Sequence, residues 1–248
     1  MPVKPSRKRL DVLLVERSLA ESRQKAQAMI LAGEVSVEGI RASKPGESVA
    51  LDTRIEVTSR LQKYVSRGGL KLEGAFLDFE VIPSGKVCLD VGSSTGGFTD
   101  CLLQHGAARV YAVDVTTSQL AWKLQQDSRI IQIKRNARQL QASDLAEAVE
   151  VVVVDVSFIS AAKVLPPAIA SAKSGADFLV LIKPQFELQR DLVGPGGIVK
   201  EPALHQRAIQ SVEEAATALG LRCLAVKPSR LTGAEGNQEF FLHARKNA

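Results

Sequence analysis

The sequence predicts an α/β protein: a doubly wound, mostly parallel sheet closed by an antiparallel C-terminal hairpin, with a small α+β module ahead of it. Two patterns carry this reading. From residue 86 onward, short apolar runs at 87–90, 109–114, 130–133, 151–155 and 178–182 alternate with helical stretches, as parallel strands buried on both faces do. Before that point the order is helix, helix and then short alternating strands, which is a separate unit. A chain of 248 residues with 45% hydrophobic side chains has the length and apolar content for one or two domains, and is neither fibrous nor disordered.

In the first module apolar residues recur at helical spacing over 10–18. Ser22 is placed to N-cap a second helix over 23–32, and Gly33 ends it. The period then becomes two: Val35 and Val37 flank Ser36, Glu38-Gly39 turns the chain, and Ile55 with Val57 makes another short strand. The module is bounded at 1–62. A linker and the first helix of the larger domain follow over 63–84, and the rest of that domain occupies 85–248. There, helices are expected over 99–104, 119–126, 161–172 and 204–219. Two last strands, over 223–227 and 238–243, flank the polar tip Thr232-Gly233-Ala234-Glu235-Gly236-Asn237 and pair as the edge hairpin.

The formal net charge of +5 is unevenly spread, with 14 Lys and Arg against 8 acids over residues 1–72 and 18 against 19 over 73–248. A basic excess confined to the first third suits a module that meets a polyanion. Cys88, Cys101 and Cys223 are too few and too scattered for a disulfide framework, and His105, His205 and His243 stand alone. No metal site is therefore expected, and a reducing cytoplasm is the expected location. No apolar stretch follows the basic start as a secretory leader requires, and no run of about 18 apolar residues is present to span a bilayer, so no membrane partner is expected. Whether the chain is a monomer or a dimer is left open.

The strongest local signal is Asp90-Val91-Gly92-Ser93-Ser94-Thr95-Gly96-Gly97-Phe98, between the first strand of the sheet and its helix. Glycines there allow a sharp turn and close approach of backbone to a ligand at the switch point of the sheet. The spacing is not the G-x-G-x-x-G pyrophosphate fingerprint. An acid two residues before the first glycine suits a cationic amino-acid ligand better than a pyrophosphate. Asp114 ends the next strand, 22 residues after Gly92, where a carboxylate accepts hydrogen bonds from ribose hydroxyls in a dinucleotide or in S-adenosylmethionine alike.

With those residues in view, the segment resembles the S-adenosylmethionine site of Rossmann-like class I methyltransferases. The resemblance implies that Asp90, Gly92, Ser94, Thr95, Gly96, Gly97, Phe98, Asp114 and Asp155 surround the cofactor, with Asn136 at the adenine edge. The amine-methylating signature Asp/Asn-Pro-Pro-Tyr is absent after the fourth strand, which reads Asp155-Val156-Ser157-Phe158, and no cysteine follows a proline as carbon-5 methylation requires. Lys71, Asp155, Lys183 and Glu239 instead match, in order and location, the Lys-Asp-Lys-Glu tetrad of the FtsJ-type ribose 2′-O-methyltransferases. That match implies Lys183 as general base, a role for which a lysine's pKa must fall, with Asp155 and Glu239 orienting and Lys71 binding phosphate or tuning Lys183.

The first module, through Arg9-Leu10-Asp11, Ser22-Arg23-Gln24-Lys25-Ala26, Ile30, Gly33, Val35 and Val37, resembles the RNA-binding domain first known from ribosomal protein S-four. That resemblance implies RNA contacts at Arg9, Arg23, Gln24 and Lys25. Tyr64 is the first aromatic residue in the chain, so the module suits folded RNA shape better than stacked single strands. The stretches Val65-Ser66-Arg67-Gly68-Gly69-Leu70-Lys71, Val156-Ser157-Phe158, Lys183-Pro184-Gln185-Phe186-Glu187 and Val193-Gly194-Pro195-Gly196-Gly197 complete a likeness, over nearly the whole chain, to the TlyA or haemolysin A family of ribosomal RNA methyltransferases. It implies S-adenosylmethionine as cofactor, ribosomal RNA or ribosomal subunits as partner, a cytidine 2′-hydroxyl of 16S or 23S RNA as acceptor, and Arg67 among the RNA contacts. A non-catalytic assembly factor and a membrane-active haemolysin are the alternatives. The Gly- and Pro-rich residues 187–199 read as a lid that orders on RNA binding or as a passive loop.

Overall fold

The first unit turns from helix to strand at Gly33, whose φ of +71° a residue without a Cβ adopts at least cost. The computed structural model describes residues 7–20, 22–57, 63–233 and 236–247. It divides into two compact units, Met1–Gln62 and Lys63–Ala248.

The first unit runs β1 (Arg7–Arg9), α1 (Leu10–Glu16), α2 (Arg23–Leu31), β2 (Val35–Val37), β3 (Ile40–Arg41), β4 (Ser48–Ala50) and β5 (Ile55–Val57). Ser22 caps α2 by accepting from the Lys25 N–H at 3.2 Å. Leu10, Leu13 and Leu14 of α1 pack against Ala26, Met29 and Ile30 of α2, with Val35 and Val49 beneath. β2 pairs antiparallel with β3 and β5, and β1 with β4. The β1 and β4 pairing is not visible in the sequence, since Arg7-Lys8-Arg9 carries no apolar alternation.

The second unit runs α3 (Arg67–Phe79), β6 (Val87–Val91), α4 (Gly97–Gln104), β7 (Arg109–Asp114), α5 (Trp122–Gln125), β8 (Ile130–Lys134), β9 (Val149–Val154), α6 (Leu165–Ala170), β10 (Ala172–Ile182), α7 (Pro184–Glu187), α8 (Pro202–Ala218), β11 (Leu221–Pro228) and β12 (Phe240–Lys246). The sheet order is β11-β12-β10-β9-β6-β7-β8, parallel from β10 to β8 and antiparallel at β12 and β11. Successive strand residues feed opposite faces. Leu89, Val152, Val154, Phe178 and Val180 meet α6 and α8, while Cys88, Val151, Val153, Leu179 and Leu181 meet α3, α4 and α5. A strand buried on both faces needs no polar alternation, which is why Val151 to Val154 read as one apolar run.

Two expected helices are shorter than their patterns. Over 119–126 only Trp122–Gln125 is α-helical, because Leu120 and Ala121 are extended and the Ala121 N–H donates to the Thr95 carbonyl. Over 161–172 a single 3-10 turn precedes α6, since Pro166 and Pro167 carry no N–H and fit only the first turn of a helix, and Ala172 already begins β10. The last two strands are displaced and longer than expected, so that Glu239 stands just before β12. Residues 234–235 of the polar tip, and residues 1–6, lie outside the described residues.

Gly69 in α3 sits under the buried Tyr64 ring, where an added Cβ would lie 2.3 Å from ring carbon. Gly69→Ala is expected to destabilise the second unit by about 1–3 kcal/mol through overpacking, read as a lowered urea midpoint at unchanged slope. A wild-type midpoint would show that Tyr64 can move aside.

Candidate active site

The loop after β6 crosses the C-terminal ends of β6 and β9, where the strand order reverses. Gly92 takes φ +90°, and a Cβ there would stand 2.3 Å from the Asp155 carbonyl oxygen. The N–H groups of Gly92 and Ser93 both donate to Val113 O, and the Asp155 N–H donates to Val91 O at 3.0 Å. Gly96, at φ +94°, N-caps α4, and a side chain there would meet Leu120 and Leu124. The glycines therefore serve close backbone packing as well as access.

Three cavities meet at this place. One of about 190 Å³ lies among Ser66, Arg67, Gly68, Lys71, Thr95, Gly97 and Phe98. A second, of about 390 Å³, lies among Val113, Asp114, Val115, Asn136 and Val156. Gly92, Ser94 and Asp155 border both. Asp114 is fixed by the N–H groups of Ser94 and Thr116, each at 2.9 Å, and Asn136 accepts from the Arg138 N–H at 3.0 Å.

Asp90 lines none of these cavities. It is fully buried beneath the loop, and its Oδ2 accepts from Thr99 Oγ1 at 2.6 Å. Its Oδ1 has no hydrogen-bond partner among the described residues. Burial pushes this carboxyl up to about 7, with Asp155 adding to the rise and Thr99 opposing it. Asp90 thus supports the loop from below. What faces the two cavities is a glycine loop without room for a Cβ at Gly92, Asp155 where the two meet, and Asp114 and Asn136 in the second.

The third cavity, also about 390 Å³, holds Lys71, Lys183 and Glu239 together with Ser157, Phe158, Gln185, Phe186, Val193, Gly197 and Asn237. It shares Lys71 with the first and Ser157 and Phe158 with the second. The four tetrad residues form two ion pairs. Lys71 Nζ donates to Glu239 Oε2 at 2.5 Å, both groups buried. Lys183 Nζ lies 2.5 Å from Asp155 Oδ1, at an angle outside hydrogen-bond geometry, and donates to Ser157 Oγ at 3.0 Å.

Several wall residues carry no advance signal. Asn237 fell in the polar tip of the sequence, yet its Oδ1 accepts from the Val199 N–H and its Nδ2 donates to Gly197 O, each at 2.8 Å. Residues 187–199 include two 3-10 turns, Arg190–Leu192 and Pro195–Gly197, and Gly197 and Val199 bond to Asn237. Glu187 accepts from the Ala161 N–H at 2.8 Å, which ties α7 to the Ser157–Phe158 turn. In the first unit, Arg9 and Arg23 are half-exposed and bonded to Asp11, and Gln24 and Lys25 are exposed on α2. Arg67 is exposed and borders the smallest of the three cavities.

Comparison with known proteins places these features. The FtsJ-like methyltransferase family model matches residues 64–246, and the S4 domain model matches residues 8–55. The chain is 45% identical over 241 residues to the 16S/23S rRNA (cytidine-2'-O)-methyltransferase TlyA of Mycobacterium tuberculosis, covering 96% of this chain and 90% of that one. It is 40% identical to Hemolysin A of Brachyspira hyodysenteriae, over 95% of this chain and 98% of that protein. A solved structure from Streptococcus thermophilus that carries the name of a hemolysin superposes with a TM-score of 0.76 at 38% identity, covering 99% of this chain and 90% of that chain. No helix among the described residues is long and apolar enough to cross a membrane, and no His, Cys, Asp and Glu cluster among them could hold a metal ion.

The elevated Asp90 pKa has a stability consequence. The folded state holds this proton more tightly than the unfolded chain, so the contribution is present below the unfolded carboxylate value near 4 and is lost as pH rises toward 7. Asp90→Asn is expected to flatten the pH dependence of the thermal midpoint between pH 4 and 7.5, gaining relative to wild type by a few kcal/mol at the alkaline end. Parallel profiles of the two proteins would place the titration elsewhere.

Proposed function

Because this chain belongs to the FtsJ-like methyltransferase family, with an S4 domain before it, we propose that it transfers a methyl group from S-adenosylmethionine to a ribose 2′-hydroxyl of ribosomal RNA, at a cytidine of 16S or 23S RNA. The observation that carries this is the meeting of the Lys71–Glu239 pair and Lys183 in one cavity, with Asp155, the partner of Lys183, bordering the two adjoining cavities beside Gly92. Residues 1–62 are the RNA-docking module, and residues 63–248 the catalytic domain.

S-adenosylmethionine, when bound, supplies an electrophilic methyl group. Gly92, Ser94 and Gly97 would leave space for that molecule, Asp114 would accept hydrogen bonds from its ribose, and Asn136 would meet its adenine. The acceptor ribose enters the third cavity. Its hydroxyl is a weak nucleophile, and Lys183 is the group placed to take the proton from that oxygen. Asp155, 2.5 Å away, then stabilises the ammonium that results. Ser157, bonded to the same Nζ, fixes where the amine points. Glu239 holds Lys71, so its charge stays at the cavity wall, placed to bind a nucleotide phosphate or to tune Lys183. Phe158, 92% exposed, and Phe186, with ring centroids 5.2 Å apart, form the apolar side of the entrance.

Incubation with labelled S-adenosylmethionine and separated ribosomal subunits from a strain lacking the gene is expected to place label in 2′-O-methylcytidine, identified by nucleoside mass spectrometry. A preparation that binds the cofactor and labels neither subunit would overturn the reading for free subunits. Lys183→Ala is expected to lower kcat by at least about 10²-fold, the usual worth of a general base, while S-adenosylhomocysteine affinity measured by calorimetry stays within about threefold. Retained turnover would remove Lys183 from the role of base.

A further inference from the structure

Asp11 lies in the first turn of α1 and is fully buried, although it carries a carboxylate. It accepts from Arg9 Nε at 3.0 Å and Nη2 at 2.9 Å, from Gln27 Nε2 at 2.8 Å and from Arg23 Nη2 at 3.3 Å. The Arg9 hydrogen bonds hold the carboxyl far below its usual range against the opposing pull of burial, and Gln27 and Arg23 add to them. A buried acid needs a partner, but one cation suffices for that. Here two arginines, one from the strand before α1 and one from the start of α2, converge on a single carboxylate. Their side chains are 51% and 58% exposed, so the held guanidinium groups still face solvent. Gly46 leaves the space beside Arg9 open, since a Cβ there would stand 3.1 Å from Nη1. Gln24 and Lys25 are exposed on the same end of α2.

We infer that Asp11 is the positioning residue of a phosphate-binding fork, fixing the Arg9 and Arg23 guanidinium groups for the phosphodiester backbone of RNA, and that it strengthens RNA binding although it is negative. The inference rests on the reading of residues 1–62 as an RNA-docking module. Its physical basis is preorganisation. A free arginine loses rotamer freedom when it grips a phosphate, whereas one already held by Asp11 has lost most of it on folding. The planar guanidinium also keeps unused N–H groups for a bidentate contact while two serve Asp11. Charge counting makes the opposite forecast, because removing Asp11 raises the net charge from +5 and should tighten binding to a polyanion.

The test uses the full-length protein and ribosomal subunits from a strain lacking the gene, with binding measured by filter retention across a salt series and no methyl donor present. Asp11→Asn is expected to bind about tenfold more weakly, with a salt slope shallower by about one. Arg9→Lys combined with Arg23→Lys keeps the net charge and alters only half-exposed side chains. It is expected to lose a similar amount. With both arginines changed to Ala, Asp11→Asn should cause no further loss, which separates action through the arginines from a general effect on the fold. Amide protection at Leu13, Leu14 and Ile30 reports whether the first unit is intact. If Asp11→Asn unfolds it, the lysine pair decides alone. Wild-type or tighter binding by folded Asp11→Asn, or by the lysine pair, overturns the inference. Failure of the wild-type protein to bind either subunit overturns the docking reading beneath it.

Discussion

Beside Gly92 there is room for a hydrogen and nothing larger, because the carbonyl of Asp155 occupies the place a Cβ would take. This contact joins the ends of β6 and β9 at the point where the sheet changes direction, and much else follows from it. It brings the loop that lines the first two cavities against the residue that follows β9, so Asp155 borders both of those cavities and the lysine it pairs with. The Val91 carbonyl and the Asp155 N–H lock the same two strand ends. A side chain at position 92 would therefore separate the loop from Asp155 as well as strain a left-handed backbone.

Two ion pairs close to one another in a mostly buried wall are costly, since each charge gives up water on folding. Replacing Lys71 and Glu239 by apolar side chains of similar size would be no loss to stability and would be a loss of chemistry. What the pairs supply is position. The main chain of Glu239 is held by its own carbonyl, which accepts from the Ser229 N–H at 2.8 Å, and its carboxylate is held by Lys71. Lys183 stands on the residue after β10, and Ser157 belongs to the turn that Glu187 ties down. Asp155, Lys183 and Glu239 are thus each placed beside a strand end, and Lys71, within α3, is held by Glu239.

The parallel strands were legible because both of their faces are buried, which turns Val151 to Val154 into an unbroken apolar signal. The tetrad was legible through its likeness, in order along the chain, to the FtsJ-type pattern; Asp155, Lys183 and Glu239 stand beside strand ends, and Lys71 lies within α3. Its pairing was not, because nothing in the sequence says that Lys71 meets Glu239, 168 residues away, while Lys183 meets Asp155. Asn237 was hidden for a different reason. Its role is to satisfy backbone groups of another loop, and a residue that serves irregular backbone leaves no periodicity. The helices over 119–126 and 161–172 were overread because Leu120, Leu124, Leu165 and Ala168, all buried, recur at helical spacing across extended residues and prolines that break the helix.

The charge of the first unit also says less by its size than by its use. Arg7 donates to the Ser48 carbonyl, Arg17 to those of Leu51 and Thr53, and Arg41 to that of Ala32 at the end of α2. Those cations hold the short strands and the helix end in place, and in doing so they spend donors that a phosphate would otherwise receive. Long-range attraction to a polyanion counts every charge within a Debye length, whatever it touches. Short-range contact counts only donors that remain free and fixed. A net excess of basic residues therefore argues for the class of partner, whereas the choice of which guanidinium groups are bound to carboxylate, to carbonyl or to nothing determines where on the unit that partner can be gripped.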